Sequence, residues 1–115
     1  MKNLRILIVE DEPLVSMVLQ FMIENIVSAT FVIQTSVAAA EKAIQQNLDF
    51  AFLDVEVTNG KTFEIAQKLK RKQIPYVFVS GSSKDDLPHE LQESAFITKP
   101  FHPAQIELAL KALPC

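Results

Sequence analysis

The stretch Phe50-Ala51-Phe52-Leu53-Asp54 places a carboxylate directly after four apolar residues. A short, continuous apolar run is typical of a strand that is covered on both faces of a sheet. Packing gives no reason for an acid at the end of such a strand. In an open α/β sheet, however, ligands bind beyond the carboxyl ends of the strands. Asp54 is therefore a candidate functional residue.

Polar residues also follow three other apolar runs that predict strands, at residues 5–9, 76–79 and 95–97. The residues that come next are, in order, Glu10-Asp11-Glu12-Pro13, Ser80-Gly81 and Thr98-Lys99-Pro100-Phe101. Phe31-Val32-Ile33 predicts one more strand. Each polar group is common by itself at a strand–loop junction. Their order along one chain, with helix-length spacers between them, is what indicates the class of protein.

The spacers show the periodicity of amphipathic helices. Pro13 suits the first turn of a helix, with Asp11 or Glu12 as its cap. Apolar residues then recur at helical spacing, at Leu14, Val15, Val18, Leu19, Met22, Ile23 and Ile26. Ser36 is the predicted cap of a helix to about residue 46, whose inward residues are Val37, Ala40, Ala43 and Ile44. Further helices are predicted over residues 63–69, 85–92 and 103–113, although Pro88 falls inside the second of these.

The composition bounds the class of protein. The length of 115 residues corresponds to one domain, residues 1–115, and 49% apolar residues are enough for a core. The net charge of −3 comes without a basic stripe for nucleic acid. No run approaches the roughly 18 apolar residues of a membrane span. Cys115 is the single cysteine, so no internal disulfide is possible, and we expect a reducing, cytoplasmic location.

The four strand ends, taken in this order, resemble the receiver domain of two-component response regulators, the CheY-like family. The resemblance covers essentially the whole chain. It implies a flavodoxin-like (βα)5 three-layer α/β sandwich with a parallel five-stranded sheet in the order 2-1-3-4-5. That order places the first and third strands side by side, about 5 Å apart, and so brings Glu10, Asp11 and Asp54 together.

Three clustered carboxylates must bind a cation, take up a proton or open to water, because like charges repel. Oxygen ligands without cysteine or histidine suit Mg²⁺. The resemblance implies that Asp11 and Asp54 coordinate the metal, that the backbone carbonyl of Glu56 adds a third ligand, and that Glu10 acts through water. The alternative is a solvated acidic rim that holds no metal.

The resemblance also assigns the phosphoryl chemistry. It implies that Asp54 accepts the phosphoryl group and that Ser80 and Lys99 bind its oxygens. Ser80 and Phe96 correspond to the switch pair of the family, and the Lys99–Pro100 bond is expected to be cis. The simpler alternatives are a turn serine, an exposed lysine and a core phenylalanine.

The function implied is a phosphorylation-dependent switch without an output domain of its own, and not an enzyme beyond its own phosphorylation and dephosphorylation. Its partners would be a histidine kinase or a histidine phosphotransfer protein and a downstream protein, with a phosphorylation-dependent homodimer as a further outcome. Two alternatives remain. One is a small aspartate-based phosphohydrolase, although that class carries its nucleophile after the first strand. The other is a pseudo-receiver that binds partners without being phosphorylated.

Two residues near the acceptor depart from the family pattern. Thr58 stands where the family commonly has a proline, four residues after the acceptor. Glu56 places an acid beside the phosphoryl site, where many receivers have a neutral side chain. The second departure bears on how long a phosphoryl group would persist.

Overall fold

The computed structural model describes residues 3–111, which form seven strands and four α-helices. The strands are β1 (Leu4–Val9), β2 (Ala29–Gln34), β3 (Phe50–Leu53), β4 (Glu56–Val57), β5 (Gly60–Lys61), β6 (Tyr76–Ser80) and β7 (Phe96–Thr98). The helices are α1 (Pro13–Glu24), α2 (Val37–Ala43), α3 (Phe63–Arg71) and α4 (Pro103–Leu110). The predicted extension of α4 to Leu113, like Cys115, lies outside the described residues. The assignment of residues 1–115 to one domain stays a prediction.

Five strands form one parallel sheet in the order β2-β1-β3-β6-β7. Counted along the chain without the short pair β4 and β5, this is the predicted order 2-1-3-4-5, and the flavodoxin-like α/β fold is confirmed. Val9 pairs with Leu53 at the carboxyl ends of β1 and β3. Glu10 and Asp54, which come directly after Val9 and Leu53, therefore follow neighbouring strands at matching positions.

The sheet divides the core into two clusters because successive side chains along a strand point to opposite faces. Leu7, Leu53 and Phe78 pack on one face with residues of α2 and α3. Ile8 and Phe52 pack on the other face with residues of α1 and α4. This is the predicted three-layer sandwich. The continuous apolar runs of β1 and β3 reflect burial on both sides.

The residues at which α1 and α2 begin agree with the sequence prediction more closely than the residue at which α2 ends. Pro13 lies in the first turn of α1, and Glu12 occupies the cap position without a side-chain bond to the helix. The Ser36 side chain accepts a hydrogen bond from the backbone N–H of Ala39 at 3.2 Å, so it caps α2 as predicted. That helix ends at Ala43, earlier than the predicted residue 46.

The outer face of α1 is apolar. Leu19 and Ile23 are buried, as the periodicity predicts, but Leu14 and Val18 from the same pattern are 74% and 46% exposed. Phe21, one turn further along, is 67% exposed. The apolar stripe of α1 is therefore wider than the core it covers. None of the helices within residues 3–111 is long and apolar enough to cross a membrane.

The helix predicted over residues 85–92 is wrong. Two 3₁₀ turns, Lys84–Asp86 and His89–Leu91, take its place. Pro88 lies between them, and it leaves Leu87 extended, at φ −72° and ψ 145°, as is usual before proline. Leu87 and Leu91 are buried all the same, on the α2/α3 side of the sheet. The apolar spacing thus predicted the buried face correctly but not the helical backbone.

The short strands β4 and β5 form a hairpin directly after Asp54. Its turn uses positive φ at Asn59 and Gly60, at 70° and 135°, where side chains are disfavoured and Gly is preferred. Thr58 ties the hairpin to the loop before α2. Its N–H donates to the Thr35 carbonyl at 3.3 Å, and its carbonyl accepts from the Val37 N–H at 3.2 Å.

Candidate functional site

The candidate site lies at the carboxyl ends of the parallel strands. Glu10 follows β1 and Asp54 follows β3, and the Asp54 N–H donates to the Val9 carbonyl at 2.9 Å, which extends the pairing of these strands. Ser80 ends β6, and Lys99 follows β7 with its N–H bonded to the Ser80 carbonyl at 2.9 Å. The sheet order therefore brings residues distant in sequence to one edge.

Three carboxylates converge there. Oxygens from Glu10, Asp11 and Asp54 all lie within 4.8 Å of one another. Glu10 and Asp54 are 3% and 9% exposed, whereas Asp11 is exposed to solvent. Carboxylate oxygens so arranged fit a hard cation such as Mg²⁺, which prefers oxygen ligands and retains water on its open side.

Lys99 lies between the two buried carboxylates. Its Nζ donates to Glu10 Oε1 and to Asp54 Oδ2, at 2.9 Å each. The sequence suggested a metal, a proton or water as the means of relieving the repulsion between the acids. An internal ammonium group is a further means, and the sequence could not predict it because it depends on one side-chain conformation.

Burial and hydrogen bonding shift the pKa values of Glu10 and Lys99 in opposite directions. Burial raises the pKa of the Glu10 carboxyl above 4.5, against the hydrogen bonds from Lys99 and from the Glu12 N–H, while the Asp54 charge raises it further. Burial by itself lowers the pKa of Lys99, but the hydrogen bonds to Glu10 and Asp54 outweigh it, so this pKa lies above 10.5. Lys99 is consequently charged at neutral pH.

The backbone around Asp54 is fixed by Thr62, which the sequence analysis missed. Thr62 is fully buried, and its Oγ1 donates to the Asp54 carbonyl at 2.6 Å. It stands at the cap position of α3 but makes no side-chain bond to that helix. A threonine directly before the helical pattern at Phe63 is visible in the sequence, but that position is typical of a helix cap and does not indicate this contact.

Glu56 lies beside Asp54 through its backbone. Its N–H lies 3.4 Å from Asp54 Oδ1. Its side chain is 70% exposed and lies 3.8 Å from the Lys61 ammonium. The carboxylate that departs from the family pattern thus lies near a cation of the adjacent hairpin strand. The Lys99–Pro100 peptide bond is cis.

Ser80 does not contact Asp54 by a hydrogen bond. It is 3% exposed, and its Oγ lies 2.9 Å from Ser82 Oγ and accepts the Ser82 N–H at 3.2 Å. Ser82 was not singled out in the sequence, although a second hydroxyl two residues after Ser80 is visible there. Of the two residues predicted to bind a phosphoryl group, Lys99 contacts Asp54, whereas Ser80 is bonded to Ser82.

Phe96 is half-buried on the α2/α3 side of the sheet. It pairs with Phe78 in the register of β6 and β7, and their ring centroids lie 6.2 Å apart. Ser80 lies two residues further along β6. The predicted switch pair therefore sits on adjacent strands, with Phe96 in a packed position that has access to solvent.

A parallel five-stranded α/β sheet with an acid cluster, a hydroxyl and a lysine at its carboxyl edge defines a receiver domain. The sequence model of the response regulator receiver domain family matches residues 6–111, so the chain belongs to that family. Receiver domains are the phosphorylation-controlled modules of two-component signal transduction.

Individual relatives agree with this assignment. The solution structure of SdrG from Sphingomonas melonis Fr1 has 33% sequence identity and a TM-score of 0.82, covering 97% of this chain and 98% of that chain. A CheY-like receiver domain from Methylobacillus flagellatus has 25% identity and a TM-score of 0.81, covering 98% and 100%. The sensory transduction protein LytT of Enterococcus faecalis is 33% identical over 90% of this chain and 45% of its own length. The chain spans about half the length of the first curated relatives it matches.

Proposed function

We propose that the chain is a phosphorylation-dependent switch that takes a phosphoryl group on Asp54 from a histidine kinase or a histidine phosphotransfer protein. The position of Asp54 carries this proposal. Its carboxylate lies within 4.8 Å of two other carboxylates and 2.9 Å from an ammonium group, at the edge where parallel sheets bind ligands. Asp54 is largely buried, and the 9% of its surface that is exposed is the part accessible to a donor.

The other two acids fit the role of acceptor less well. Glu10 uses one oxygen for Lys99 and the other for the Glu12 N–H, at 2.9 and 3.1 Å. Asp11 is exposed and makes no hydrogen bond to Lys99 among the described contacts. A phosphoryl group on Asp11 would lie further from the ammonium that offsets its charge.

In this proposal an Asp54 oxygen attacks the phosphorus of a phosphohistidine, and the phosphorus–nitrogen bond breaks as the aspartyl-phosphate forms. Phosphoryl transfer depends on neutralising charge at the phosphoryl oxygens more than on acid–base chemistry. Lys99 provides a positive charge after a small shift away from the Asp54 carboxylate. Ser80 provides a hydroxyl donor once it turns away from Ser82.

Mg²⁺ is the proposed cofactor. Asp11 and Asp54 would hold it with carboxylate oxygens, the Glu56 carbonyl would add a third ligand, and Glu10 would act through water. The metal, when bound, supplies positive charge to the phosphoryl oxygens. Lys99 and the metal would then both offset the negative charge of Asp54, which is why both belong to one site.

The apolar face of α1 supports a protein as the phosphodonor. A groove of about 340 Å³ runs between Leu14, Val18 and Met22 of α1 and the segment from Lys99 to Phe101. It is lined in part by Lys99, which contacts Asp54, so the groove lies within reach of a protein donor docked at Asp54. Exposed Phe21 and Met17 extend the same surface along α1.

The proposed output depends on Ser80 and Phe96. A phosphoryl group adds a charge of about −1.5 to −2 at Asp54, and Ser80 would move towards it. Phe96 could then turn inward and change the surface around β7 and α4. A downstream protein or a second copy of the chain would recognise that surface. A cytoplasmic location stays a prediction from the sequence.

The test is the intact mass of the protein after incubation with acetyl phosphate and Mg²⁺. We expect one phosphoryl adduct that is labile to acid and base, and its loss in the Asp54→Asn variant. Asp49→Asn, which removes an acid outside the site, is the matched control. Unchanged labelling of Asp54→Asn would refute the acceptor. Steady hydrolysis of phosphate monoesters would favour a phosphohydrolase, and absence of any adduct would favour a binding module.

A further inference from the structure

The hydroxyl of Ser80 is engaged twice by one residue, Ser82. Its Oγ lies 2.9 Å from Ser82 Oγ and 3.2 Å from the Ser82 nitrogen, which donates to it. Ser80 is 3% exposed, whereas Ser82 is half-buried. No other side-chain hydrogen bond of Ser80 Oγ occurs within residues 3–111. Its orientation in this structure therefore depends on the loop that follows β6.

The direction of the bond follows from the number of protons. A serine hydroxyl has a single proton and two lone pairs. If Ser82 donated to Ser80, the buried Ser80 proton would be left without an acceptor, which is costly. If Ser80 donates, the proton of Ser82 remains free to bond with water. Ser80 is thus the donor, and its only proton is in use.

We propose that Ser82 is a positioning residue that holds the Ser80 hydroxyl in its resting orientation and opposes its transfer to a phosphoryl oxygen on Asp54. This inference rests on the proposed function. Ser80 cannot donate to a phosphoryl group without giving up its bond to Ser82 Oγ. The Ser82 hydroxyl consequently favours the unphosphorylated state and sets the balance between the two states.

The expected change in affinity follows from the net free energy that one hydrogen bond contributes. Such a bond corresponds to about a two- to tenfold change in an equilibrium constant. Removing it only from the resting state should raise the affinity for a phosphoryl group at Asp54 by that factor. A ligand shifts a two-state balance only by its difference in affinity for the two states, so the effect should appear in ligand affinity.

The experiment measures the affinity of the full chain for beryllofluoride, a phosphoryl mimic, at saturating Mg²⁺ by titration of amide chemical shifts. Ser82→Ala should bind the mimic about two- to tenfold more tightly than wild type. Ser82→Thr keeps a hydroxyl and should bind close to wild type. The Ser80→Ala/Ser82→Ala double variant should bind as Ser80→Ala does. Urea unfolding of each variant shows that it is folded.

Each alternative outcome has a definite meaning. Weaker binding by Ser82→Ala would mean that Ser82 itself contacts the phosphoryl group, and the proposal would be wrong. Equal affinity of Ser82→Ala and wild type, or an equal gain in the Ser80→Ala background, would also overturn it. If wild type bound no mimic at all, the proposed function would fail and the role of Ser82 with it. Binding by wild type without an effect of Ser82 would refute the role of Ser82 alone.

Discussion

Lys99 holds two buried carboxylates at once, and Asp11 remains outside that arrangement. The sequence predicted that the three acids would meet, because each follows a strand whose neighbours are fixed by the sheet order. It did not predict which acid the lysine would pair with, since a flexible side chain selects its partner only in the folded structure. The same limit applies to Ser80 and Ser82, whose contact depends on the side-chain rotamers and the loop geometry.

Asp11 can be tested without disturbing the lysine pair. In buffer with EDTA, Asp11→Asn should be as stable as wild type or slightly more stable, because it removes an exposed charge from an acidic cluster. Wild type should gain about 2.7 kcal/mol when free Mg²⁺ is a hundredfold above its dissociation constant. Asp11→Asn should gain much less at the same concentration. Urea unfolding with and without Mg²⁺ measures both effects.

Glu24→Gln is the matched control for Asp11→Asn, because Glu24 is exposed at the end of α1, away from the cluster. It should respond to Mg²⁺ as wild type does. A wild-type free energy of unfolding that does not change with saturating Mg²⁺ would contradict the metal site and favour a pseudo-receiver.

Glu10 predicts a pH dependence in the metal-free protein. Its folded-state pKa is raised above 4.5, so the folded state holds this proton more tightly than the unfolded state. That contribution is present below pH 4.5 and is lost as the pH rises through the raised pKa. Glu10→Gln has no proton to lose. The free energy of unfolding of wild type minus that of Glu10→Gln should therefore fall as the pH rises from 4.5 towards neutrality. Urea unfolding in EDTA across this range measures it, and a difference that rises with pH would contradict the prediction.

At the scale of the element, regular strands were predicted better than the segment that replaces the fourth helix. The run at residues 50–53 coincides with β3, because burial on both faces leaves a continuous apolar signal. Between β6 and β7 the apolar residues Leu87 and Leu91 have helical spacing, but Pro88 prevents a continuous helix. The spacing of apolar residues indicates which side chains are buried. Two short 3₁₀ turns can bury Leu87 and Leu91 as a helix would.

This separation of burial from backbone type can be tested with two leucines. Leu91, in a 3₁₀ turn, is 1% exposed, whereas Leu108, in the α-helix α4, is 69% exposed. Leu91→Ala should destabilise the protein by about 2–4 kcal/mol, because it leaves a cavity in the core. The matched Leu108→Ala should stay within about 0.5 kcal/mol of wild type. Urea unfolding compares the two, and similar losses would mean that helical structure matters more than burial.

At the scale of the whole molecule, the sheet explains how four distant parts of the chain form one site. Parallel pairing aligns the carboxyl ends of the strands at one edge of the sheet, which is where ligands bind in open α/β folds. The strand order was predictable from the resemblance. The hairpin of β4 and β5 was not predicted, although Asn59-Gly60 between Val57 and Lys61 is a visible turn signal. Its hydrogen bonds through Thr58 to the loop before α2 depend on tertiary contacts that the sequence does not show.

The two 3₁₀ turns between β6 and β7 have a consequence for motion. Opening free energies within a protein range from near zero to the full value for global unfolding, and short segments with few backbone hydrogen bonds lie at the low end. The exposed turn Lys84–Asp86 can therefore rearrange while the sheet and its two cores stay intact, whereas Leu87 and Leu91 are held in the core. This turn begins two residues after Ser82, so a segment that can reorder at low thermodynamic cost is close in sequence to the proposed phosphoryl site. In the proposed switch, mobility and structural integrity would thus belong to neighbouring but different parts of the same small fold.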